Sequence, residues 1–248
     1  MKHIKTTALM LILLATSLNA QRKLPALEDP AFEAASTAYR IVYHYNRHTY
    51  TLTMPNEDTP VVFQCKFGFW TSSYKTIKIG SIERNVDMRK FDLMHPMDEM
   101  TYRIEVTVGD IEWEDFVHFP DKNTVAVLIR EKDTENNVGI FYPDKDNPET
   151  VFRGMVKGND YTFLDKTKER FGVLGTIFSD ESMFKRCRTI EKGGEVIART
   201  IKDRMRGSKI NFDIYIKNSL SEQDTADLIT VFISTHQLML AFEDAGDR

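Results

Sequence analysis

Eight basic residues crowd one stretch of this sequence: Lys185, Arg186, Arg188, Arg199, Lys202, Arg204, Arg206 and Lys209. Guanidinium and ammonium groups gathered on adjacent strands would make one cationic face able to hold a phosphate or sulfate. The plainer reading of the same residues is a solvated basic sheet face. Between Val151 and Asn218 there are 15 Lys and Arg against nine Asp and Glu, a local charge of +6 in a chain whose formal charge is −4. An acidic total lacks the cationic footprint of non-specific nucleic-acid binding, so no nucleic-acid partner is expected.

Other residue types invite chemistry less strongly. His44 and His48 lie in a stretch that reads as a strand, which would separate them by roughly 13 Å, too far to share a zinc ion. Met88, Met94, His95, Met97 and Met100 are ligand types that suit Cu(I). Methionine also fills irregular gaps, and with Pro96 marking a bend the segment reads as a loop over a barrel end, with no metal expected. The acidic run Asp144 to Glu149 lacks the glycine and spaced glutamate of a calcium loop and reads as a turn. His236 reads as a neutral core histidine bonded to backbone. With no nucleophile elbow, phosphate loop, dinucleotide fingerprint or Cys–His pair, no catalytic residue or cofactor is indicated. Cys65 and Cys187 are the only cysteines. Paired, they would close a loop of about 122 residues, worth about 4–5 kcal/mol in the chain-entropy picture. Two buried free thiols are the other reading.

These residues need elements to position them. Lys2 and Lys5, the apolar run Ala8 to Leu14 and Leu18-Asn19-Ala20 read as a secretory signal peptide over residues 1–20. The expected setting is therefore extracellular, or periplasmic in a bacterium, and the apolar run is too short to span a bilayer. Residues 21–38 read as a leader interrupted by Pro25 and Pro30. From Tyr39 onward strands dominate. Arg103 to Val108 alternates strictly, and Ile210, Phe212, Ile214 and Ile216 share one face of another strand. Thr124 to Ile129, Gly139 to Tyr142, Tyr161 to Leu164, Val173 to Phe178 and Val196 to Ile201 repeat the pattern, separated by turn clusters such as Glu191-Lys192-Gly193-Gly194. Near the end, Ser221 to Asp224 reads as a capped helix start. The helix that follows, over about 222–242, is apolar on nearly every side; only Gln223, Asp227, Thr230, Ser234 and Gln237 form a narrow polar stripe. Such a helix must be enclosed by protein. The expected fold is mainly β, a closed antiparallel barrel over residues 39–248 that encloses a hydrophobic C-terminal helix.

That order of elements resembles the tubby C-terminal-like superfamily, which includes the tubby proteins and the phospholipid scramblases. The likeness rests on Gly172 to Phe178, Glu191 to Ala198, Phe212 to Ile216 and Asp224 to Ile229, running into the helix. It covers residues 150 to 242 and implies a barrel of about twelve strands around a central helix. The lipid-headgroup residues of tubby proteins have no residue-by-residue match here, so the resemblance implies fold more than ligand. The resulting expectation is a secreted, non-enzymatic binding protein that engages an anionic lipid headgroup, a polyanion or a protein partner through its basic face. The alternative is a lipocalin-like carrier of a small apolar ligand. These two readings require opposite interiors, one filled and one hollow. Oligomeric state is left open.

Overall fold

A computed structural model describes residues 29–55, 57–68, 73–79, 82–109, 111–113, 117–119, 124–144, 150–165, 187–202 and 207–243. Within the first 34 residues, which cluster as a unit of their own, a single helical turn, α1 (Pro30–Ala34), is started by Asp29, whose carboxylate accepts from Phe32 N. Pro30 suits the first helical position because its missing N–H would be unpaired there in any case.

Sixteen strands follow among the described residues. Twelve of them close a barrel: β1 (Ser36–His44), β2 (Thr49–Thr53), β3 (Val61–Phe67), β6 (Lys90–His95), β7 (Met100–Val108), β10 (Val125–Glu131), β11 (Asn137–Pro143), β12 (Thr150–Val156), β13 (Asn159–Asp165), β14 (Cys187–Lys192), β15 (Glu195–Lys202) and β16 (Lys209–Lys217). All ladders are antiparallel. Closure comes from β1, which pairs along its length with β16 (Ile41 opposite Phe212, Tyr43 opposite Ile210) and on its other edge with β2. No barrel strand keeps a free edge, which removes the template for edge-to-edge aggregation. Ser36 to Ala38 belong to β1, so the barrel begins three residues earlier than the pattern suggested.

Two hairpins stand outside the ring. β4 (Ser73–Ile79) and β5 (Ile82–Met88) are inserted between β3 and β6, and their Ile77 and Val86 are buried in the main core. β8 (Ile111–Trp113) and β9 (Val117–Phe119) lie between β7 and β10; Ile111 joins Ala126, Leu128 and Ile140 in a separate small core. Leu128 and Ile140 pair with each other and alternate with the inward residues Val127 and Phe141, so this cluster covers the outer barrel wall.

Tight turns keep the ring short at the ends. Gly193 and Gly194 both have positive φ, 58° and 83°, and join β14 to β15 in the two-residue geometry that matches strand twist. Lys157 and Gly158 do the same between β12 and β13, with φ of 48° and 76°. A lysine in the left-handed region is unusual. Its ammonium reaches the central helix, as described below.

That helix is α2 (Glu222–Glu243), and every residue from Ala226 to Ala241 is buried. Ser221 caps it by accepting from Asp224 N at 3.1 Å. Partners come from around the whole ring: Tyr43 of β1, Tyr50 of β2, His95 of β6, Arg188 of β14 and Phe212 of β16 all touch it. Only a helix running through the barrel meets all of them. From Asp227 on, the polar stripe is buried too. Asp227 accepts from Lys157 Nζ at 2.7 Å, and Thr230 Oγ1 bonds the Ala226 carbonyl. No helix among the described residues is long and apolar enough to cross a membrane.

Several expectations are revised. Lys90 to His95, read as part of a loop, is the barrel strand β6, because Phe91, Leu93 and His95 alternate inward while Met94 points out. His44 ends β1 and a 3₁₀ turn (Tyr45–Arg47) separates it from His48, so the two do not share a strand. Cys65 is a buried free thiol on the inner face of β3, where burial pushes it far above the ordinary thiol range. The pairing considered for it is therefore not made; the side chain of Cys187 lies outside the described residues, as do Val173 to Phe178.

Truncating Ile233, which is fully buried in mid-helix, should cost about 2–5 kcal/mol in urea unfolding. A cost below about 1 kcal/mol would mean that this side of α2 is not enclosed.

Candidate anion-binding face

The strand registers decide which basic residues can act together. Arg188 pairs with Thr200 across β14 and β15, so the two share a face. That face is the inner one: Arg188 and Thr200 line a void of about 10 Å³ with Phe163, Phe212, Phe232, Thr235 and His236. Arg188 also directs Nη1 at Met239 Sδ and lies over the Phe152 ring at 6.0 Å. Arg199, one residue from Thr200, takes the opposite, outer face, where it pairs with Tyr215. The single cationic face expected from the sequence is thus divided by the barrel wall. Lys185, Arg186, Arg204 and Arg206 fall outside the described residues, and so does the side chain of Lys202.

Lys209 regains basic company that the sequence did not suggest. It opens β16 directly opposite His44 of β1, and the 3₁₀ turn after His44 carries Arg47. Lys209 and Arg47 are exposed, and neither forms an ion pair among the described residues. His44 senses them. Burial, then the Lys209 and Arg47 charges, hold its imidazole below the usual range, and its Nε2 lies 3.3 Å from Thr51 Oγ1. Burial is the larger cause; the part that comes from the two charges marks a locally positive potential. Further along the same outer face Arg40 is neutralised by Asp213, with two contacts of 2.9 Å to one carboxylate oxygen. Lys209 and Arg47, around His44, thus form a cationic spot with no ion pair among the described residues.

Other polar clusters pair mainly within the barrel. In the barrel, Gln237 Nε2 donates to Tyr50 OH at 2.7 Å, which leaves the Tyr50 proton for His236 Nδ1, also at 2.7 Å. His236 is thereby the neutral tautomer protonated on Nε2, and its fixing partner is a phenol rather than backbone. Arg89 joins this network, donating to Gln237 Oε1 at 3.1 Å and to Asp87 Oδ2 at 2.9 Å. Burial raises both phenols, Tyr50 strongly and Tyr43 to about 12, so they stay neutral donors. At the end where α2 enters, a cleft of about 260 Å³ is lined by Tyr39, Leu52, Met54, Met97, Leu220 and Thr225, among others. Met88 packs on the core while Met94 and Met100 are exposed, so the methionines do not converge on one point. Among the described residues no group of three or more His, Cys, Asp or Glu could hold a metal ion.

No family model, no curated protein and no solved structure matches this chain.

Tyr50→Phe would strand both Gln237 Nε2 and His236 Nδ1 in the interior. It should destabilise the protein by about 1–3 kcal/mol in denaturant unfolding. A neutral effect would show that the phenol is not the hinge of this network.

Proposed function

We propose that this is a non-enzymatic binding protein that holds an anionic group, a lipid headgroup or a polyanion, on the outside of a plugged barrel. The observation that carries the reading is the pair of cations, Lys209 and Arg47, which the β1–β16 register and the turn after β1 bring to His44 and which form no ion pair among the described residues. Exposed cations without carboxylates nearby attract phosphate or sulfate at a distance and release it at high salt. Arg199 adds a positive group on the same outer side of β15. The barrel with its central helix agrees with the tubby-like resemblance, and that likeness speaks to fold rather than ligand. The N-terminal pattern of a signal peptide favours an extracellular or periplasmic setting for such binding.

The interior weighs against the carrier alternative. A lipocalin-like protein keeps a hollow barrel, whereas here α2 occupies the middle and the void beside His236, about 10 Å³, is the size of one water.

Reversing both charges, Arg47→Glu with Lys209→Glu, should weaken co-sedimentation with vesicles containing anionic lipid by roughly tenfold or more at moderate salt. Retention on a heparin column run in parallel separates a preference for polyanions from one for membranes. Unchanged retention by both probes would count against this face.

A further inference from the structure

The central helix fills the middle of the barrel but not its mouth. Tyr39 of β1, Leu52 of β2 and Ile216 of β16 continue the inward rows that hold Ile41, Tyr50 and Ile214. At the end where α2 begins they enclose the cleft of about 260 Å³ together with Met54, Met97 from the β6–β7 turn and Leu220 just ahead of the helix. Leu52 and Ile216, 1% and 2% exposed, are its covered floor, whereas Tyr39, Met54, Met97 and Leu220 pack on the core only in part. A water molecule takes up about 30 Å³ of liquid, so the space is that of about nine waters. Loosely held water against apolar walls is displaced by an apolar group with a gain in affinity. The volume falls below the range of drug-sized sites, so the occupant is small.

Polar groups at the rim select its charge. Thr225 Oγ1 donates to the Ser221 carbonyl at 3.0 Å, and Asn218 Oδ1 accepts from Thr37 Oγ1 at 2.6 Å. Among the lining residues the one ammonium, that of Lys217, is held by Glu195 at 2.7 Å. Carboxylates are in excess. Glu222, in the first turn of α2, lines the cleft, and Glu57 reaches the same mouth from the turn after β2, where its N–H donates to the Met54 carbonyl. Burial raises the Tyr39 phenol, and the Glu57 charge raises it further, which places that carboxylate beside the cleft wall. Both glutamates are exposed, and neither forms an ion pair among the described residues.

We propose that the barrel mouth binds a small organic monocation with an apolar body, an arylalkylamine whose ring lies among Tyr39, Met54 and Met97 and whose ammonium faces Glu222 and Glu57. Unbranched thioethers adapt to the outline of a ring and make favourable sulfur contacts at its edge. A carboxylate of the same size would meet two like charges. The β1–β16 ladder sets Ser36 opposite Lys217 at this end and His44 opposite Lys209 at the other, roughly 26 Å away along the strand. The site therefore does not rest on the anion-binding reading, and either can fail alone.

Titrating the full chain, labelled with ¹³C at its methionine methyls, with 2-phenylethylamine at pH 7 tests the proposal. The Met54 and Met97 resonances should shift together and saturate, while that of Met239, buried further along α2, stays in place. Uncharged 2-phenylethanol should bind several-fold more weakly, and 3-phenylpropanoate roughly tenfold or more. In Glu57→Gln with Glu222→Gln, two exposed positions, affinity for the amine should fall to that for the alcohol, with the alcohol unaffected. No saturable shift at Met54 and Met97, or equal affinity of the native chain for all three probes, would overturn the proposal. So would tighter binding of the carboxylate, or an amine affinity unchanged in the double variant.

Discussion

A helix that is apolar on nearly every side has no stable place in water, and the rest of this protein follows from that constraint. Sixteen consecutive residues of α2, Ala226 to Ala241, are buried. Covering all sides of a helix requires a wall that returns on itself, and the barrel supplies one by pairing its first strand with its last. Inward residues are accordingly large: Tyr43, Tyr50, Phe63, Phe91, Tyr102, Phe141, Tyr161 and Phe163 are almost wholly buried. Each aromatic fills the space between ring and helix that an aliphatic residue would leave open.

Burying α2 also buries its polar stripe from Asp227 on, and two stripe residues and one backbone carbonyl take partners from the wall. Asp227 meets Lys157, Gln237 meets Tyr50 and Arg89, and the Ala226 carbonyl meets His95. These bonds add little net energy over hydration, but leaving any one unmade in the interior is costly. They therefore fix the depth and rotation of the helix, which a purely apolar contact would leave loosely defined. The unusual left-handed Lys157 makes sense here: it turns a hairpin and delivers an ammonium to the end of the barrel where α2 starts.

Much of this was legible in the residues. Ile210 to Ile216 alternates so cleanly that its strand and its inward face follow directly, and the continuous apolar circumference of the last helix demands enclosure. β6 was hidden because Met94, His95 and Pro96 look like loop and ligand chemistry, yet Phe91, Leu93 and His95 keep the strand period. Closure of the ring depends on pairings between residues such as Tyr43 and Ile210, far apart in the chain and invisible to local pattern. The basic site was only half legible for the same reason. Arg188 and Arg199 look alike in sequence, but the β14–β15 register, with its irregularity at Ile190 and Glu191, sends one inside and leaves the other out. Arg47 joins Lys209 through a pairing that spans the whole domain.

The central claim is that α2 is a plug and not a surface helix, and native-state hydrogen exchange tests it most directly. Amides from Leu228 to Leu240 should exchange only through global unfolding, with protection equal to the stability of the whole barrel and the same dependence on denaturant. Exchange of these amides through local opening, at a free energy well below that of the barrel strands and insensitive to denaturant, would contradict it.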